Sequence, residues 1–204
     1  MKRDGNTRAD MGALVVDPTG GLSGDMFLGC LFALGADPKL VARDVATLPG
    51  LEPFRIVFGR IKRGGIVMHR ARVEYEPSRH ARTLRAVLAM IDGSPLDRRV
   101  RDLASGAFLL LGEAEGRIHG RPLEEVHFHE VGAVDSIVDI VGSMAALAHL
   151  GFPPIWHRPF RVGTGTVRIA HGELPLPAPA TLELLAGRTV HFVDRPGEIV
   201  TPTG

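Results

Sequence analysis

Between His127 and Gly142 the hydrophobic pattern changes period, and this change constrains the chain more than any other stretch. His127 and His129 flank Phe128, so on extended backbone both imidazoles point to one side and the phenyl ring to the other. From about Val131 the period becomes helical, with Val134, Ile137, Val138, Val141 and Ala145 on one stripe. Asp135 and Asp139 are four apart and share a different face of that helix. A short strand carrying two histidines therefore runs into a helix carrying two aspartates, with Glu130 at the junction. Nitrogen and oxygen donors gathered this way suit a divalent metal. A solvated helix face with a dipole-favoured acidic first turn is the competing reading.

Composition narrows the classes. With 204 residues the chain forms one large domain or two small ones. A formal net charge of +1 gives no electrostatic case for nucleic acid. The single cysteine, Cys30, permits no intrachain disulfide and makes the cytoplasm the default compartment. No uninterrupted apolar run reaches membrane-spanning length. Residues 1–12 read as a disordered, polar lead.

The rest of the chain alternates strand and helix signals. Ala13–Val16 is a strand candidate, followed by D-P-T-G-G-L-S-G-D-M. There Ser23 is the expected N-cap and Asp25 falls in the first helical turn, with Met26, Phe27, Cys30, Leu31 and Leu34 as the expected buried face. Helix N–H groups beside Asp17, Ser23, Gly24 and Asp25 suit an anion such as phosphate, and the two aspartates suit a cation. A capped strand-to-helix turn explains the same residues structurally. Asp37-Pro38 restarts a helix, with Leu40, Val41, Val45 and Leu48 inward. Residues 54–61 and 66–75 alternate around Gly64-Gly65 as a hairpin, with His69 on its apolar-leaning face. A long helix from Asp97 to about Ile118 buries Val100, Leu103, Ala107, Phe108, Leu111 and Ala114. Its last turn pairs Glu115 with His119, an arrangement that binds metal or orients a base. Residues 158–169 read as strand, turn, strand, and Pro179 starts a short helix. The expected class is mixed α/β (α+β): strands at 13–17, 54–61, 66–75 and 158–169 in one or two mixed sheets covered by helices, in an order the sequence does not reveal.

Several segments together resemble the LarC family of nickel insertion proteins. They are Asp17 to Met26, A-E-x-x-I-H-G from Ala114 to Gly120, V-H-F-H-E-V-G-A-V-D-S-I-V-D-I-V-G from Val126 to Gly142, His171-Gly172, the proline-rich run Pro175 to Ala180, and T-P-T-G from Thr201 to Gly204. The resemblance implies nickel insertion into pyridinium-3,5-bisthiocarboxylic acid mononucleotide, which forms the pincer cofactor of lactate racemase. In the family this is a CTP-dependent, lyase-class reaction that uses manganese or magnesium. Residues 13–204 resemble the N-terminal, metal-binding part alone. CTP and its metal are therefore expected only with a C-terminal part, and catalysis by this chain alone stays open. The histidine-rich tract of many relatives is reduced here to His80, so discrete binding is expected rather than nickel storage.

The resulting donor set is His127, His129 and Glu130, then Asp135, with Asp139, His119 and His171 in or around the coordination sphere. The ligand's phosphate is expected at Asp17, Ser23, Gly24 and Asp25, across a shared cleft from the metal. Expected partners are the mononucleotide and the C-terminal part, with no nucleic acid and no membrane; homo-oligomerisation is left open. Two other functions fit the residues: a metal-dependent phosphate-ester hydrolase, and a non-catalytic interaction module whose histidines only pack and pair.

Overall fold

The computed structural model describes residues 12–76, 82–128, 132–169 and 172–204. In chain order these form β1 (Leu14–Val16), α1 (Gly24–Ala33), α2 (Pro38–Val45), β2 (Phe54–Arg63), β3 (Ile66–Tyr75), β4 (Arg82–Thr83), α3 (Leu84–Asp92), α4 (Arg98–His119), β5 (His127–Phe128) and α5 (Val134–His149). There follow β6 (Ile155–His157), β7 (Phe160–Thr164), β8 (Thr166–Ile169), β9 (Gly172–Pro175), α6 (Pro179–Leu185) and β10 (Val190–Pro196). The class is mixed α/β, as the sequence indicates.

The strands do not share one or two sheets. Among the described residues they form five two-stranded pieces: β1 with β6 and β7 with β10 in parallel, and β2–β3, β4–β5 and β8–β9 antiparallel. Residues 158–169 thus feed two different pairs, because β7 turns to β10 and β8 to β9. Only β2–β3 is long. Its two-residue turn needs positive φ at both positions, and Gly64 and Gly65 supply 55° and 82°.

The core is built around α5. Val134, Ile137, Val138 and Val141 are fully buried, and the helix packs on α1, α2, α4 and β3. Gly142 faces Val41 of α2 and Leu28 of α1, where an added Cβ would make ordinary van der Waals contact. Unlike the solvated face that acidic residues would suggest, the acidic side of α5 is withdrawn from solvent, with Asp135 half-buried and Asp139 only 8% exposed.

Three expected faces need correction. On α1 the buried residues are Leu28, Leu31 and Phe32 with Gly24 and Gly29, whereas Met26, Cys30 and Leu34 are exposed. This helix is apolar almost all round, so periodicity cannot select a face; close approach does. A Cβ at Gly29 would sit 3.1 Å from the Ala71 backbone nitrogen. Leu40 of α2 and Leu103 of α4 are also exposed, and Ala104 takes the inward place on α4. The caps agree better. Asp37 and Asp97 accept from the N–H groups of Lys39 and Arg99, each at 2.8 Å. His69 lies at the exposed surface of the hairpin, stacked on Phe58 at 5.5 Å between ring centres. No helix among the described residues is long and apolar enough to cross a membrane.

Candidate functional site

The N-terminal ends of α1, α5 and α6, the C-terminal end of α4 and residues 201–203 meet around a cavity of about 620 Å³. The first turn of α1 contributes Ser23 and Asp25, and α5 contributes Asp135 and Asp139. The end of α4 contributes Glu115 and His119, whose Nε2 lies 3.2 Å from the Glu115 carboxylate. Thr201, Pro202 and Thr203 form a further wall. Of the residues expected on the two sides of a shared cleft, Ser23 and Asp25 line this cavity together with Asp135 and Asp139.

Glycines allow this meeting. A Cβ on Gly24 would fall 2.6 Å from Asp139 Cβ and 2.7 Å from its Oδ2, so only glycine permits α1 to press on the Asp139 side chain. Gly21 has φ of 103° and lies against Ile199; a Cβ there would be 2.1 Å from the Ile199 carbonyl oxygen. The backbone then locks: the Leu22 N–H donates to Ile199 O (2.7 Å) and the Thr201 N–H to Leu22 O (3.0 Å). The Gly24 N–H donates to Thr203 Oγ1 at 3.3 Å, and the two threonine hydroxyls are 3.1 Å apart.

The electrostatics centre on Asp139. Burial, then the charges of Asp25 and Asp135, push its carboxyl up to about 8, with only the Asp25 backbone N–H pulling the other way. Its Oδ1 is buried and has no hydrogen-bond partner among the described residues. Tyr75, at the end of β3, lies beside Asp135; burial first, and then that carboxylate, raise its phenol. Ser23 occupies the N-cap position but its hydroxyl donates to Asp25 rather than capping the helix. The Met26 N–H donates to Asp25 Oδ1 (2.8 Å) and the Phe27 N–H to Ser23 O (2.9 Å).

The remaining sequence-selected residues fall elsewhere. Asp17 accepts from Thr19 Oγ1 at 2.5 Å and lies 3.7 Å from Arg158; these contacts, Thr19 first, hold its carboxyl below the usual range. It does not line the cavity. His127 is exposed on β5, opposite Thr83 on β4, and is not among the lining residues. His80, His129, Glu130 and His171 lie outside the described residues. Among the described residues, no three His, Cys, Asp or Glu side chains stand close enough together to hold a metal ion by themselves. Sequence reasoning missed Tyr75 as a site residue. It is the chain's only tyrosine, but alternation placed it merely on the hairpin's apolar face. Arg82 was missed as well: 9% exposed, it ion-pairs with Glu52 and donates to the Gly132 carbonyl at 2.9 Å, tying down the approach to α5.

Residues 14–204 match the family described as Nickel insertion protein. The pyridinium-3,5-bisthiocarboxylic acid mononucleotide nickel insertion protein of Staphylococcus epidermidis is 41% identical over 192 residues, covering 94% of this chain and 48% of that protein. The protein of the same name from Desulfitobacterium hafniense is 42% identical over 194 residues, covering 95% and 48%. A putative nickel insertion protein of Geotalea uraniireducens is 45% identical over 188 residues, covering 90% and 47%. The chain thus spans about half the length of the curated relatives it matches. No solved structure matches it. From Leu14 to Gly204, the chain belongs to the nickel insertion protein family.

Proposed function

We propose that this chain presents nickel during its insertion into pyridinium-3,5-bisthiocarboxylic acid mononucleotide, the ligand named for its relatives. The observation that carries this reading is the convergence of Asp25, Asp135 and Asp139 on one cavity, with the Asp139 carboxylate buried and its Oδ1 unpartnered among the described residues. Carboxylates that repel one another from two helices favour either a proton or a cation between them. Nickel takes carboxylate oxygen and imidazole nitrogen, and His119 with Glu115 lines the same cavity. His129, Glu130 and His171 remain in the proposed donor set on sequence grounds.

The spread of these donors suits transfer rather than storage. A site that hands its ion on should leave positions open, to be completed by the acceptor's own sulfur atoms. The glycine loop favours the cation over a phosphate. Around Gly24, Asp25, Met26 and Phe27 the first-turn N–H groups already face oxygens of Thr203, Asp139, Asp25 and Ser23. The carboxylates of Asp25 and Asp135 beside them would repel an anion. CTP-driven chemistry with manganese or magnesium belongs, in this reading, to the length of the relatives that this chain does not span.

Calorimetric titration of the chain with nickel, magnesium and manganese tests the proposal. A nickel preference, weakened at least tenfold by Asp25→Asn or Asp135→Asn, is the expected result. Equal nickel binding by parent and variants would refute the carboxylate site. Preference for magnesium with phosphatase turnover would favour the hydrolase instead.

A further inference from the structure

A second cavity, of about 560 Å³, lies beyond the Thr201–Gly204 segment and shares Asp139 with the first. Five buried side-chain polar atoms lack a hydrogen-bond partner among the described residues, and three of them belong to residues of this cavity's wall: Asp139 Oδ1, Ser143 Oγ and Thr181 Oγ1. Ser143 is 3% exposed and Thr181 1%. Asp139 and Ser143 are one turn apart on α5, and Thr181 comes from α6. Folding normally leaves buried hydroxyls bonded, within a helix often to a carbonyl one turn back. Neither hydroxyl makes such a bond. Unpaired groups concentrated on one wall point to a ligand that supplies the partners.

The rest of the lining defines that ligand. Phe27, Leu111, Ile140 and Leu184 provide an apolar body, and His157 and Arg188 add polar and positive character. The volume falls within the range of small-molecule sites, about 300–1,000 Å³. A flat heteroaromatic ring with hydrogen-bonding substituents and an anionic tail satisfies all three features: ring on the apolar walls, substituents on Ser143 and Thr181, phosphate toward Arg188.

We infer that this second cavity binds a pyridinium mononucleotide, with its ring directed at the wall that Asp139 shares with the first cavity. Identifying that ligand with the nickel acceptor rests on the function proposed above. The two cavities would then divide the reaction. One holds the ion, the other the acceptor, and they meet at Asp139.

Nicotinate mononucleotide, a pyridinium mononucleotide with a ring carboxylate, is the probe. It is titrated calorimetrically into the chain and into Thr181→Val, Ser143→Ala and Arg188→Glu. Each hydroxyl variant should bind about tenfold more weakly, the loss of one ordinary hydrogen bond. Thermal stability should be unchanged or raised, because neither hydroxyl has a partner among the described residues. Arg188→Glu should weaken the mononucleotide and leave the dephosphorylated riboside unaffected. No probe binding, or binding indifferent to all three changes, overturns the inference; so does a lower melting temperature in both hydroxyl variants, which would make the hydroxyls structural. Nickel titration of the same variants separates the two proposals. Unchanged nickel binding is expected. If the parent binds the probe as described but no nickel, the mononucleotide site stands and the metal reading falls.

Discussion

Asp139→Asn should make the metal-free protein more stable as the pH rises, while weakening nickel. The folded chain holds the Asp139 proton up to about 8, against an ordinary value of 3.8. Between those values the unfolded chain has released the proton and the native chain has not. The stability contribution of the protonated carboxyl is therefore complete below 3.8 and declines as pH climbs through about 8. At about 1.36 kcal/mol per unit, the whole shift corresponds to on the order of 5 kcal/mol. Mutual repulsion with Asp25 and Asp135 spreads that cost over three carboxylates. An amide is neutral throughout and avoids the penalty. Urea unfolding of parent and variant, run at pH 5 and pH 8.5 with chelator present, reads the difference. The variant's advantage should grow by about 3 kcal/mol over that interval. A gap that stays constant with pH would show that Asp139 ionises normally in the native state and would refute the account of the cluster. Nickel calorimetry on the same preparations should show the stabilised variant binding more weakly.

Other changes probe the parts separately. Gly24→Ala places a methyl 2.6 Å from Asp139 Cβ, so α1 must retreat from α5; chemical denaturation should show a loss of about 1–3 kcal/mol, with weaker nickel binding. Tyr75→Phe removes the phenol beside Asp135 and should alter nickel affinity while costing no more than about 1 kcal/mol in denaturant melts. Asp97→Ala deletes the cap of α4 far from the aspartates and should cost about 1 kcal/mol with nickel affinity unchanged, which makes it the control for general destabilisation.

Helix identity was legible wherever polar and apolar residues alternate with a clear period. The stripe Val134, Ile137, Val138 and Val141 is buried as its spacing demands, and the caps at Asp37 and Asp97 follow from local chemistry. The face of α1 was not legible. Its residues are nearly all apolar or small, and the choice among faces is made by how closely Gly24 and Gly29 approach Asp139 and Ala71. Strand pairing was hidden for a related reason: β1 pairs with β6 across about 140 residues, and nothing local to Leu14–Val16 names Ile155–His157 as its partner. For the site, the i, i+4 spacings of Asp135–Asp139 and Glu115–His119 correctly put each pair on one helix face. Spacing could not show that both faces open on the same cavity, nor that His127 is exposed outside it.

The segment Thr201–Gly204 explains why the cleft depends on the whole chain rather than on the motif that dominates the sequence. Thr203 accepts from the Gly24 N–H across 179 positions, and Val200 bridges to Leu22 beside it. The hydrogen bond ties the wall to the first turn of α1, which carries Asp25 into the aspartate cluster. The same four residues line the second cavity on their other side, next to Asp139. A shift of this segment would therefore alter both cavities at once. Glycine enforces the contact: a Cβ on Gly204 would lie 2.7 Å from the Leu22 carbonyl carbon, and one on Gly21 would strike Ile199. The cluster repels itself, and a bound cation would relieve that repulsion. Nickel binding should consequently tighten the register between Leu22 and Thr201. The proposed partition of ion and acceptor would thus depend on a hydrogen-bonded segment held against Leu22 and Ser23 by Gly21 and Gly204.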